Sequence, residues 1–324
     1  MARTLVTGGA GYIGMVVVDE LLGAGHDVTV LDVLLHDQHG LATEVRERGA
    51  GLVEGDLRDP AARAAALEDV DAVVHLAAIV GDPACARQPE LAQAVNVDAS
   101  KALAAEAAEQ GVQRFIMAST CSNYGRITDP TVPIDETGVL APVSLYAEQK
   151  VAVEKHLLSL DPPPFAVTCL RFATVYGAAP RMRFDLTVNE FTRDLWADRR
   201  LEVFGERFWR PYVHVRDAAR AVRTVREASI GVVARQVFNV GDSGENYRKL
   251  DLVREIRTQI DRGEVVFVHR DEDPRDYRVA FEKISATLGF AVTMRVPDGI
   301  TEIIDALDAA RFPEPFAARY RNIA

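Results

Sequence analysis

Cysteine is scarce: the chain has 3 in 324 residues, at positions 85, 121 and 169. That number and spacing build neither a disulfide framework nor a cysteine-ligated zinc site, so reduced thiols are expected. Long apolar runs are missing too, none approaching about 18 residues, and Met1-Ala2-Arg3 leads straight into a short apolar segment. Neither a transmembrane helix nor a signal peptide is read, and a cytoplasmic location is expected. Positive charge is in deficit, with 37 Lys and Arg against 48 Asp and Glu and a formal net charge of -11. That balance argues against nucleic acid or an anionic membrane as a general partner, and an anionic ligand must be met by a few placed arginines. Lysine is the rarest charge, 5 residues in all, so Lys150 stands out. His36 and His39 are three apart, but Asp37, Gln38 and Gly40 make a polar loop around them, and such a pair alone is no metal site. No internal repeat or low-complexity tract is found.

What is present is regular. At 48% hydrophobic and 324 residues, the chain can bury a large core and is long enough for two lobes. Short apolar stretches bounded by Gly, Asp or polar residues predict strands over 3–6, 28–32, 51–54, 72–76, 114–118 and 166–172. Apolar spacings of three and four predict helices over 13–24, 41–48, 60–67, 90–110 and 144–160. The alternation implies a parallel sheet covered on both faces, an α/β, doubly wound, Rossmann-type domain. Ligands of such sheets lie beyond the carboxyl ends of the strands.

The first of those ends carries Thr7-Gly8-Gly9-Ala10-Gly11-Tyr12-Ile13-Gly14. Glycines 8, 11 and 14 let the backbone turn sharply, approach a diphosphate and pack the new helix on the strand, while the helix amides face the anion. Asp32 ends the second strand, where a ribose 2′-hydroxyl would be bound and a 2′-phosphate repelled, so NAD is predicted over NADP. Asp161-Pro162-Pro163-Pro164 is a stiff break too short to be a domain linker. From about residue 178 the pattern loosens, with a helix over 186–196, a strand over 201–204 and a tail helix over 299–309. The predicted organisation is a cofactor-binding domain over 1–177 and a smaller mixed α/β substrate lobe over 178–324, with returns to the first domain near 211–226 and 236–242.

Tyr146 and Lys150, four apart on a predicted helix, share one face. A phenol with a pKa of about 10 is a poor base at neutral pH, and an adjacent ammonium favours its ionised form. Just past the fifth strand, Thr120 offers a hydroxyl, whose plain alternative role is to cap a helix or end a strand. Together with the glycine loop and Asp32, Asp56-Leu57, His75-Leu76-Ala77-Ala78, Asn96, Tyr124-Gly125 and residues 170–177, these motifs resemble the extended short-chain dehydrogenase/reductase family. The nearest group is its nucleotide-sugar epimerases and dehydratases, and the resemblance covers nearly the whole chain.

The resemblance implies an NAD-binding set of Gly8, Gly11, Tyr12, Ile13 and Gly14 at the diphosphate, Asp32 at the adenosine ribose and Asp56 with Leu57 at the adenine edge. Ala77, Ala78, Asn96, Lys150 and Phe172 complete it. Thr120, Tyr146 and Lys150 would be catalytic: Thr120 bonds the substrate hydroxyl, Tyr146 transfers its proton, and Lys150 binds nicotinamide ribose and tunes Tyr146. A nucleotide-diphosphate sugar would meet Cys121, Ser122, Arg181, Arg183, Asn189, Arg210 and Arg270, the last seven residues before Tyr277. A homodimer pairing the helices over 90–110 and 144–160 is the family's expectation.

Two departures narrow the reaction. Hexose 4,6-dehydratases of the family carry Asp-Glu after the Thr, where this chain has Cys121 and Ser122, neither an acid or base for water elimination without strong tuning. Arg181-Met182-Arg183 is similar to a Pro-Arg-x-Arg stretch of epimerases acting on nucleotide-linked uronic acids, displaced by two residues. The expected activity is NAD-dependent epimerisation of a nucleotide sugar, at C4 first. A ketoreductase, a dehydratase or a C3/C5 epimerase is the alternative within the family, and a catalytically idle nucleotide-binding protein the alternative outside it.

Overall fold

Each of the six strands predicted in the first half forms, because each is a short apolar stretch between residues that break pairing. In the computed structural model, which describes residues 3–35, 39–127, 129, 131–160, 165–268 and 275–322, they are β1 (Arg3–Thr7), β2 (Asp27–Asp32), β3 (Gly51–Glu54), β4 (Ala72–His75), β5 (Arg114–Thr120) and β6 (Ala166–Phe172). β4 and β6 are buried along their whole length, as strands covered on both faces must be. Beyond them come β7 (Thr174–Tyr176), β8 (Arg200–Phe204), β9 (Trp209–His214), β10 (Gln236–Val240), β11 (Asn246–Arg248) and β12 (Glu264–Val268).

β10 pairs in parallel with β6 and completes a seven-stranded sheet of order β10-β6-β5-β4-β1-β2-β3, parallel throughout. The chain runs outward from β1 to β3, then crosses to β4 on the other side of β1. The strand order therefore reverses between β1 and β4, and a crevice opens at their carboxyl ends. Alternate side chains feed the two faces: Leu5, Val73, Phe115 and Val167 join one apolar cluster, while Val6, Val74, Ile116 and Leu170 join the other. The second cluster continues without a break into the layer built by β11-β9-β7, the parallel pair β12-β8, and the helices Thr187–Trp196 and Val296–Asp308.

Two segments depart from expectation. The helix predicted over 90–110 is Pro89–Gln93, a π-helical turn Ala94–Ala99 and then Ser100–Glu109. A further short helix, Asp82–Arg87, stands in a stretch for which no element was predicted. The proline break at 161–164 lies outside the described residues. Among the described residues, no helix is long and apolar enough to cross a membrane, and no group of three or more His, Cys, Asp or Glu could hold a metal ion.

Candidate active site

The crevice between β1 and β4 deepens into a cavity of about 530 Å³, within the range of small-molecule sites. Its floor is the glycine loop. Gly8 sits at φ 71, and a Cβ there would stand 2.8 Å from the backbone nitrogen of Ala77 across the strand reversal. A Cβ on Gly14 would stand 2.1 Å from the Gly8 carbonyl oxygen. Only glycine allows this approach of backbone to backbone. Gly11 is the N-cap of the helix Tyr12–Gly23 and no side chain caps it, which leaves the helix's first amides to the cavity.

Asp32 is buried at the end of β2, where its carboxylate accepts from Ala10 N at 3.0 Å and Leu34 N at 2.9 Å. Burial pushes its pKa up, and those backbone donors oppose the rise. Asp56, beside it in the wall, is held below the usual carboxylate range by Arg58, which grips it at 2.6 Å. Uncapped amides, a glycine cradle a Cβ would fill, and a fixed carboxylate about 20 residues on fit a dinucleotide. Ile13, Leu57, Ala77, Ala78 and Phe172 line the same cavity.

Thr120, Tyr146 and Lys150 line the same cavity. Thr120 ends β5 and lines the cavity while its hydroxyl also accepts from Ser122 N at 3.1 Å, so it caps the 3-10 turn Cys121–Tyr124 as well. The helix Leu145–Leu158, capped by Ser144, presents Tyr146, Lys150 and Glu154 four apart on one face. Lys150 Nζ donates to Ala118 O at 2.9 Å and stands 5.9 Å from the centre of the Tyr146 ring. Burial pushes the Lys150 ammonium down to about 8 and the Tyr146 phenol upward, with the Arg183 guanidinium opposing the rise in part. Burial is thus the largest influence on the Tyr146 phenol.

The model of the NAD dependent epimerase/dehydratase family matches residues 4–241. The chain belongs to this family. A UDP-glucose 4-epimerase of Lacticaseibacillus casei is 30% identical over 326 residues, 93% of this chain and 94% of that protein. A dTDP-glucose 4,6-dehydratase of Streptomyces niveus is 29% identical over 321 residues, 94% of this chain and 92% of that protein. The solved UDP-glucose 4-epimerase of Thermus thermophilus in complex with NAD superposes with a TM-score of 0.82 at 26% identity, over 95% of this chain and 99% of that one. As a member of the NAD-dependent epimerase/dehydratase family the chain is an NAD-dependent enzyme, and the cavity is where its motifs meet.

Four expected ligand contacts do not reach the cavity wall. Asn96, in the π-helical turn, instead clamps one peptide, accepting from Ile79 N at 2.7 Å and donating to Ile79 O at 3.0 Å, and so positions a residue that does line the site. Cys121 points beneath the wall, its thiol donating to Arg171 O at 3.2 Å, and burial pushes its pKa up. Asn189 is fully buried and spent on Gly177 N, Arg183 O and the Tyr12 hydroxyl, tying the glycine-loop helix to the helix Thr187–Trp196. Arg210 is buried behind Tyr277, its guanidinium 5.2 Å from that ring and bonded to the carbonyls of Trp209 and Arg275. Ser122, Arg181 and Arg183 do line the cavity. Arg270 and His36 lie outside the described residues.

Ile79-Val80-Gly81, just past β4 where ligands of such a sheet are expected, line the cavity, whereas the sequence reading missed Tyr277 and Asn322 as lining residues. Asn322 arrives with the chain's end, and no local signal marks it.

Proposed function

We propose that the protein is a nucleotide-sugar 4-epimerase acting on a nucleoside-diphosphate hexose. The observation that carries this reading is the turn behind Thr120. Water elimination needs an acid and a base beside the reacting carbons. Here Cys121 is turned out of the cavity with its pKa raised by burial, and Ser122 brings only a hydroxyl. Among the described residues lining the cavity, Tyr146 stands as the proton-transferring group, beside Thr120 and Lys150.

Bound NAD supplies a hydride acceptor and, when oxidised, a positive charge that favours the phenolate. Tyr146 takes the proton of the sugar's 4-hydroxyl and later returns it, Thr120 hydrogen-bonds the same oxygen, and Lys150 keeps its charge beside the phenol from its anchor on Ala118 O. The glycine loop and Asp32 would hold the NAD that accepts hydride from C4 and gives it back, so the conversion would need no outside oxidant. Arg183 is gripped by Asp185 through contacts of 3.0 and 2.9 Å, which favours a neutral hexose over a hexuronic acid. The family relatives named UDP-glucose 4-epimerases support the same carbon and make UDP the first nucleotide to try. A cytoplasmic homodimer belongs to this reading. Incubation with UDP-glucose, dTDP-glucose and UDP-glucuronic acid, with products resolved by NMR, should yield a 4-epimer of a neutral hexose and no dehydrated keto-sugar. Tyr146→Phe should abolish that conversion while leaving NAD affinity nearly intact. A 4-keto-6-deoxy product, or turnover by Tyr146→Phe, would refute the proposal.

A further inference from the structure

Four arginines line the cavity: Arg58, Arg181, Arg183 and Arg275. Three have carboxylate partners, Asp56 at 2.6 Å, Asp185 at 2.9 Å and Asp82 at 2.9 Å. Arg181 forms no ion pair among the described residues. It is only 5% exposed, its Nε finds no hydrogen-bond partner there, and one terminal nitrogen donates to Arg321 O at 3.2 Å. A guanidinium taken out of water without a counter-charge is strongly unfavourable unless an anion answers it. Burial, reinforced by Arg183, pushes its pKa down to about 10, with Asp185 and Asp32 opposing.

Arg181 lines the same cavity as Asp32 and as the uncapped start of the helix Tyr12–Gly23, where Gly11, Tyr12, Ile13 and Gly14 stand in the wall. Asp32 and the Arg181 guanidinium also act on one another electrostatically. We propose that Arg181 is a clamp from the second lobe on the diphosphate of the cofactor, closing over the anion that the amides following Gly11 meet from the other side, and that it retains NAD between turnovers. The proposal rests on the family's NAD dependence and reassigns a residue expected to meet the sugar nucleotide.

The carboxy-terminal segment sets the clamp's position. Tyr320 O accepts from Phe184 N at 2.8 Å, Asn322 N donates to Asp185 at 3.1 Å, and Arg321 O holds Arg181 itself. Phe184, Phe312 and Tyr320 stack edge to face at 5.6 to 5.9 Å and fasten that segment down. The arginine loop is thus braced by residues more than 130 positions away.

The test is NADH affinity by fluorescence titration, with competing adenosine or ADP-ribose, for the wild type, Arg181→Ala, Arg181→Lys and the exposed-charge control Arg207→Ala. Loss of one buried charge-assisted contact should weaken NADH about 10- to 100-fold in Arg181→Ala. Arg181→Lys should recover part of the loss, and Arg207→Ala should match the wild type. Adenosine should bind Arg181→Ala and the wild type equally, because the ribose site is untouched, while ADP-ribose should follow NADH. The melting temperature of NAD-free Arg181→Gln should equal or exceed that of the wild type, since an unpaired buried charge has gone, so a folding defect is separable. NADH affinity unchanged in Arg181→Ala, or a loss confined to UDP, would overturn the clamp. A wild type that does not bind NADH would overturn the cofactor assignment and the clamp with it.

Discussion

Replacing Glu154 by glutamine removes the charge that neutralises Arg171, at a place where water cannot take its part. The two residues are 2% and 4% exposed and form a direct ion pair between the catalytic helix and β6. The Glu154 carboxylate also accepts from Ser119 Oγ at 2.8 Å, one residue before Thr120. Arg171 donates to the Tyr124 hydroxyl at 2.9 Å, and that hydroxyl donates to Asn239 at 2.7 Å on β10. The pair thus pins the carboxyl end of β5 to three neighbouring elements. Breaking a buried pair by removing one partner costs about 3–5 kcal/mol. That is a large share of the roughly 5–15 kcal/mol that holds a domain folded, and corresponds to a fall in Tm on the order of 10 °C. Thermal unfolding at one fixed NAD concentration reads the loss, because ligand binding itself shifts the midpoint. The double substitution Glu154→Leu with Arg171→Met removes both charges and should recover most of it. A single variant within about 1 kcal/mol of the wild type, or a double variant as damaged as the single, would refute the reasoning.

Three further outcomes follow from the cavity and the sheet beneath it. Asp32→Gly should narrow the preference for NAD over NADP about tenfold or more, about 1.4 kcal/mol, because the charge that repels a 2′-phosphate is gone; titration with both cofactors checks this, and an unchanged ratio would contradict it. Gly14→Ala places a Cβ 2.1 Å from the Gly8 carbonyl oxygen, so the loop must shift and NAD affinity should collapse while circular dichroism stays native. His75, buried between Thr7 and Ser100 at 2.8 Å from each, is held down to about 3 by burial, from a usual 6.5. The folded state binds the proton more weakly than the unfolded one, so this contribution to stability is full above pH 6.5 and is lost as pH falls from there toward about 3. Melts of His75→Gln across that window should show a shallower pH dependence than the wild type, and parallel curves would contradict the assignment.

The sheet was legible because its strands are separate apolar runs with breakers at both ends, and the glycine loop because its steric demand is written in three residues. Tyr146, Lys150 and Thr120, singled out through the family resemblance, all line the cavity. Side-chain direction was not legible. Cys121 follows Thr120 in sequence but falls in the tight turn Cys121–Tyr124, which carries its thiol under the wall toward Arg171 O. Asn189 bonds the distant Tyr12 hydroxyl and Arg210 the distant Arg275 carbonyl, contacts that no local pattern announces. The helix over 90–110 breaks because Ala94–Ala99 widens into a π turn, in which Asn96 clamps Ile79. β11, three residues long, offers too few positions for alternation to show and is held by antiparallel pairing with β9. Arg181 was singled out through the Arg181-Met182-Arg183 stretch, and that it forms no ion pair among the described residues became visible only in the structure.

The central claim is that Tyr146 moves one proton at one oxygen, with hydride returned to the same C4 carbon and nothing exchanged elsewhere on the ring. Turnover of UDP-glucose in deuterium oxide tests it most directly, with the product examined by NMR and mass spectrometry. The account predicts the 4-epimer with no deuterium on any ring carbon, whereas deuterium at C3 or C5, or loss of water from the hexose, would contradict it.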